Sequence, residues 1–399
     1  MVLAGVAIVA ACYISIVQIL RVDAFAKYRG ELAPIGGTEG VKLSSFVLRA
    51  YDGGHLSATA DVESAVVRRD RSSISMQGVS NGKYFSDDET LNFSAEQAIY
   101  QYYNSTLSAS QGGQIQGDDL DLHVDDFTLA RNQNELQVVG GISGRLMDGE
   151  VTAQTLIYDF TDESWSTHSV KWKGWQQDPV TEDRREWEFE AEDASGANDV
   201  NIWQNARATD GEIIVYADVV EHNTKTDVIV AKGNVRYFSQ DANVRCLEAT
   251  VYHDEKRSVL VGAVNMFVKS KDDDTLAEVE VPVLTPSTPE SNKPLSTEPT
   301  EEQEDVLRST ENVRDFPVKI VADRVEYWYK KGERRADITG NPQARQDLPQ
   351  GWRMVWAHTA FYDGEAETIT LKSKPEERTV RIISSIGDDA LARLFTIST

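Results

Sequence analysis

Apolar and polar residues alternate along most of this chain. Past the amino terminus, no stretch holds a 3.6-residue pattern for long. Period-two alternation predicts half-buried β-strands. Residues 211–222 read as one strand, rich in β-branched and aromatic side chains, and 223–226 as a turn. Residues 227–238 return as a second strand, broken at Gly233-Asn234. A Gly-Asn pair inside a strand predicts a bulge or corner. The plan recurs at 246–267, and again at 318–329 followed by 336–342, where Gly340-Asn341 repeats the break. Residues 358–362 and 367–371 close the series. Degenerate copies lie upstream at 91–109, 136–146 and 151–172. Ala217 and Ala249 are 32 residues apart (249 − 217), and Ala95 and Ala153 are 58 apart (153 − 95), close to two shorter periods. Such periods mark a stacked architecture, because a single hairpin cannot bury its own apolar face. An ordinary β-sandwich is the alternative.

The amino terminus breaks the alternation. Residues 2–20 carry no charge, and as a helix they would span about 28 Å, close to a bilayer core. This predicts an uncleaved signal-anchor over 1–21 and a juxtamembrane linker over 22–40. The competing readings are a cleaved signal peptide, a buried helix, and lipidation at Cys12 after Val9-Ala10-Ala11.

Composition then changes the functional picture. The net charge is -25, with 40 Lys plus Arg against 65 Asp plus Glu. That weighs against nucleic acid, whose binding needs phosphates neutralised by cations. Two cysteines, Cys12 and Cys246, exclude a disulfide framework. Residues 271–316 combine Pro282, Pro286, Pro289, Pro294 and Pro299 with acidic and hydroxyl residues, and read as a disordered insertion. No phosphate-binding loop, nucleophile elbow or HExxH pattern occurs. The expectation is a non-enzymatic protein without cofactor or metal. His222 and His253, at matching places in successive repeats, read as turn-flanking surface residues. Five tryptophans crowd 165–203, and either cap a β core or pave an apolar groove.

Two paired segments carry a resemblance. Residues 215–221, Val-Tyr-Ala-Asp-Val-Val-Glu, precede 230–236, Val-Ala-Lys-Gly-Asn-Val-Arg. Residues 320–327, Ile-Val-Ala-Asp-Arg-Val-Glu-Tyr, precede 338–342, Ile-Thr-Gly-Asn-Pro. Both resemble the OstA-like repeats of the bacterial lipopolysaccharide-export bridge. The anchored amino terminus resembles its LptC component more than the soluble LptA component. The resemblance covers 210–270 and 317–375 best, is only a pattern over 41–209, and leaves 376–399 as a carboxyl-terminal segment. The chain is roughly twice the expected LptC length and carries the acidic insertion.

The resemblance implies a mainly β fold: an elongated, partly open β-jellyroll of stacked antiparallel hairpins behind one amino-terminal transmembrane helix. It implies an inner-membrane protein, single-pass, with a large periplasmic domain. It also implies lipopolysaccharide acyl chains as ligand, an inner-membrane ABC transporter as donor, and an LptA-like jellyroll as edge-strand partner. Trough-facing candidates are Ile213, Val215, Val228, Val230, Leu247, Val251, Leu260, Val325 and Tyr327. A one-residue slip would reverse the face. The alternatives are an envelope scaffold with a packed core, which recruits partners through strand edges, and a glycan-active β-helix enzyme.

Overall fold

The computed structural model describes residues 40–289 and 315–398, apart from 53, 86–89, 118–119, 131–133, 147–148, 178–183, 274, 277, 279–280, 350, 375 and 377–379. The expected anchor (1–21) lies outside the described residues, as do nearly all of the expected linker and part of the insertion. Among the described residues, no helix is long and apolar enough to cross a membrane.

Alternation becomes strand throughout. The first eight are β1 Val41–Asp52, β2 His55–Val67, β3 Ser73–Phe85, β4 Thr90–Gln101, β5 Thr106–Gln116, β6 Leu120–Ala130, β7 Glu135–Leu146 and β8 Gly149–Asp159. Then follow β9 Ser164–Gln177, β10 Arg184–Ala197, β11 Val200–Thr209, β12 Ile213–Asn223, β13 Val228–Ser239, β14 Ala242–Tyr252, β15 Arg257–Val268 and β16 Val318–Trp328. The last are shorter: β17 Arg335–Thr339, β18 Gln343–Leu348, β19 Gly351–Trp356, β20 Thr359–Asp363, β21 Thr368–Lys372, β22 Val380–Ser384, β23 Asp389–Ala392 and β24 Leu394–Ser398.

From β1 to β16 each strand pairs antiparallel with the next, so the sheet is an uninterrupted meander. It runs on through β11 and β12, across the boundary expected at 209/210. At β16 the meander forks. Residues 324–328 pair with β17, which leads through β20 and β21 to β24. Residues 318–321 pair with β18, which leads through β19 and β22 to β23. The result is an elongated, open antiparallel sheet of stacked hairpins. The segment 376–399 supplies β22, β23 and β24, which complete both branches.

The fork completes a break already present in the long strands. Register shifts fall between Tyr216 and Val219, Lys232 and Val235, Arg245 and Glu248, and Val261 and Val264. Upstream, similar shifts follow Val79, Ala95, Ala109, Val124 and Val139. A bulge bends its strand and inserts a residue into the alternation. The inward face therefore continues on the far side of each bend, as in Val124 then Phe127, and Ala322 then Val325. Each of these bent strands has two arms with one shared interior.

The bend explains the repeated motif. Gly233 and Asn234 have φ of 71° and 46°, and Gly340 and Asn341 have 85° and 54°. Glycine and asparagine are the residues that accept this left-handed region at least cost. A Cβ on Gly233 would lie 2.6 Å from Asp218 Oδ2, and one on Gly340 would lie 2.3 Å from Asp323 Cβ. The aspartate of each Ala-Asp pair thus covers the glycine of the next strand. Its alanine, Ala217 or Ala322, points into the core. Equivalent inward corner residues are Ala95, Val124 and Ala153, spaced by 29 (124 − 95 and 153 − 124). Ala217 and Cys246 repeat that spacing (246 − 217). The expected 32-residue offset is corrected accordingly: Ala249 stands opposite Ala231, which stands opposite Val220.

Two main core clusters fill the interior. One spans β2 to β8 around Val138, Met76 and Ile142. The other joins both branches, with Ile338, Ala360 and Leu371 from one meeting Val355 and Val380 from the other. Among the described residues these branches share no ladder, so their packing is what closes the second core. At roughly 1.5–3 kcal/mol per buried aliphatic side chain, it dominates the local stability.

Part of the insertion's described first stretch packs on the sheet. Val281 (3% exposed) and Leu284 (8% exposed) are buried on the outer face of the sheet. Val281 meets Ile214 and Phe238, while Leu284 meets Met354, Trp356 and Ile383. Mean composition hid this, because two apolar residues three apart suffice when the face beneath them is itself apolar.

Candidate functional site

Register fixes which side chains share the interior. In an antiparallel ladder, directly opposed residues point to the same face. A row runs from Val220 through Ala231, Ala249, Leu260 and Val325 to Ile338, all core residues. Of the expected trough residues, Leu260, Val325 and Tyr327 belong to that core. Val251 shares the face of Ala249, and Val215 stands opposite the core residue Tyr237, with Ile213 on the same face. Val228 and Val230 flank the inward positions and lie on the opposite face, so they do not line the interior. Leu247 is 62% exposed at the bulge, where a Cβ on Gly262 would touch it. It occupies the place that Asp218 and Asp323 hold in neighbouring repeats.

The interior changes character between its two cores. Across β9 to β12, one inward row reads Thr167, Ala194, Trp203 and Val220. A second reads Trp172, Phe189, Ala208 and Val215. Ala194 is buried, as are Ala191 and Ala206, but Trp172, Phe189, Trp203 and Val215 are only half-buried. Phe189 and Trp203 meet edge to face, with centroids 5.2 Å apart, and Trp203 stacks on His222 at 6.3 Å. Small buried residues stand here beside large half-exposed aromatics, so this stretch of the apolar interior is less buried than the two cores. The sequence marked it only as a crowd of tryptophans.

His222 and His253 do meet, through Asp227 in the β12–β13 turn. His222 Nε2 lies 3.0 Å from Asp227 Oδ1, and His253 Nδ1 lies 3.3 Å from Oδ2. Among the described residues, no group of three His, Cys, Asp or Glu is placed to hold a metal ion. Burial alone would raise the Asp227 carboxyl, but the His222 hydrogen bond and the two imidazoles hold it below its ordinary 3.8. Burial and the Asp227 charge push the nearby Tyr329 hydroxyl up to about 12. A carboxyl with a depressed folded pKa contributes stability that is present above its unfolded value and lost as pH falls through the folded one. Asp227→Asn should therefore lower the urea midpoint at pH 6, and the difference from the parent should shrink below about pH 4. A midpoint difference that does not change between pH 6 and pH 3 would contradict this.

Cys246 is buried at an inner corner, and burial pushes its thiol up to about 12. It is packing, with no reactive thiolate at neutral pH.

Two other features lie outside the interior. An open groove of about 1200 Å³ follows the bulges of β1 to β7 on the outer face, between Glu63, Glu96 and Asp125 on one side and Ser94, Gln114 and His123 on the other. Among the described residues, the sheet also ends in unpaired edges. There β1 pairs only with β2 and exposes Val41, Val47 and Tyr51. At the far end, β23 and β24 close the two branches and expose Leu391 and Leu394.

No protein-family model matches the chain, and no curated protein matches it. The geometry carries the functional reading: an elongated open β-sheet with a groove-like surface suited to a lipid or a partner.

Proposed function

We propose that the chain is a non-enzymatic carrier of envelope lipid that holds acyl chains along its inward apolar face. The half-buried aromatic stretch across β9 to β12 supports this reading, because there large apolar side chains face inward yet stay partly exposed. Acyl chains need a desolvated trough, and Trp172, Phe189, Trp203 and Val215 offer contiguous apolar walls. The lipid is lipopolysaccharide, by resemblance of the Ala-Asp and Gly-Asn repeats to the export-bridge family. On the same reading the chain is an inner-membrane, single-pass protein with its β body in the periplasm. It receives lipid from an ABC transporter and passes it to an LptA-like jellyroll. The open edges β1 and β24 support end-to-end strand pairing. The net charge of -25 is accommodated if phosphorylated headgroups stay in solvent while acyl chains enter.

The test is binding of a fluorescent acyl probe, cis-parinaric acid, to the purified chain, with lipopolysaccharide as competitor. Saturable binding that lipopolysaccharide displaces, and that Trp203→Glu weakens about tenfold or more, is expected. Absence of saturable binding to the folded chain would refute the carrier reading.

One observation favours a second reading. Val138 and Val264 are fully buried, and both main cores are closed around them. A scaffold that recruits partners through its edges needs only such packed cores. The probe experiment separates the two, since a scaffold binds no acyl chain.

A further inference from the structure

The outer face of the second half of the sheet should be solvated, like the outward faces elsewhere, yet it is apolar. Ile214 and Phe238 form one patch there, and Val321, Met354, Trp356 and Ile383 a second. The first part of the acidic insertion crosses both. Val281 enters the first patch and Leu284 the second, while Val283 between them is exposed.

The contact has the form of peptide recognition. The described residues of 275–289 belong to no strand, so this stretch shares no ladder with the sheet. Its main chain is read by side chains instead. Ser287 N–H donates to Gln343 Oε1 at 2.9 Å, and Trp356 Nε1 donates to Ser287 O at 2.8 Å. Both bonds grip the backbone of a single residue. At the other end, Tyr216 donates to Glu278 Oε2 at 2.5 Å, and Arg207 stands 3.8 Å from Oε1. The root is pinned by buried Lys269, whose Nζ donates to Ser239 O and Thr275 O. Pro282, Pro286 and Pro289 keep such a segment extended and unable to join a ladder. Two apolar anchors three residues apart, a doubly held main-chain residue and an acidic end complete a binding site for an extended peptide.

We infer that this face is a peptide-docking site and that segment 276–288 is its tethered, exchangeable occupant. The segment is covalently joined to the sheet it docks on, through β15 before it and β16 after it, so a released strap stays at high effective concentration and returns. Because the strap lies on the outer face, the inference stands independently of acyl binding inside.

The experiment weakens the resident strap and offers its copy in trans. In the full chain carrying Val281→Asp and Leu284→Asp, a fluorescein-labelled peptide of residues 275–289 should bind saturably by anisotropy. The unmodified chain should bind it about tenfold or more weakly, because its own strap competes at high effective concentration. Adding Gln343→Ala to the double variant should also weaken binding about tenfold, which mere hydrophobic adhesion would not show. A folded double variant with no saturable binding, or binding indifferent to Gln343→Ala, overturns the proposal. If the double variant fails to fold, hydrogen exchange on the unmodified chain decides. Residues 281–288 should exchange at least about tenfold faster than β13 and β19 beneath them. Equal protection would mean that the strap opens only with the whole sheet, and would overturn the inference.

Discussion

Gly340→Val should destabilise the second core by about 4 kcal/mol, whereas Gly332→Val should cost about 2. Both glycines have left-handed φ, 85° and 81°. A β-branched residue is strained at either position, and that component is common to the two. The difference lies in what surrounds them. A Cβ at Gly332 meets nothing within 4 Å, while one at Gly340 meets Asp323 Cβ at 2.3 Å. Asp323 cannot simply swing aside, because its own Cβ is the obstacle. Asp323→Gly should accordingly recover part of the loss in the Gly340→Val chain but none in the Gly332→Val chain. Urea denaturation followed by tryptophan fluorescence measures all four chains. Equal losses at the two glycines would mean that the aspartate does not cover the corner.

A pair of aspartate substitutions on the adjacent strands β14 and β15 should differ even more. Val264 is fully buried where β15 leaves its bend, packed between both branches. At neutral pH, Val264→Asp would place an unpaired carboxyl there, at a cost of roughly 4 kcal/mol or more. Leu247→Asp should change stability by no more than about 0.5 kcal/mol. Leu247 projects outward and faces Gly262 as Asp218 faces Gly233 and Asp323 faces Gly340. The substitution therefore writes the aspartate found at the Gly233 and Gly340 corners into a corner that lacks it. Thermal melts of the two variants give the comparison, and similar destabilisation would contradict the assigned faces.

These contrasts mark how far the sequence could be read. Alternation located the strands because a strand with one wet face must alternate, and the Gly-Asn breaks at 233–234 and 340–341 are true left-handed corners. The faces were not legible. Each bend inserts a residue and resets the alternation, so Val230 and Val251 look equivalent in sequence but lie on opposite faces. The true period was hidden for the same reason: Ala217 matches Cys246, a residue of different chemistry, while Ala249 matches Val220. The half-buried tryptophans were visible as a cluster, but their inward placement depends on the pairing of β9, β10 and β11. The strap was hidden because its charged, proline-rich composition says nothing about the apolar face that receives it.

The most direct test of the carrier reading exploits the two faces. A photoreactive amino acid at Val215 points into the interior beside Ala208, in the row that continues through Phe189 to Trp172, whereas one at Val230 points away from it. In living cells of a lipopolysaccharide-bearing bacterium, crosslinks to lipopolysaccharide are expected from Val215 and not from Val230. Lipid crosslinks from Val230 alone, or none from Val215 while the chain is folded and in place, would contradict it.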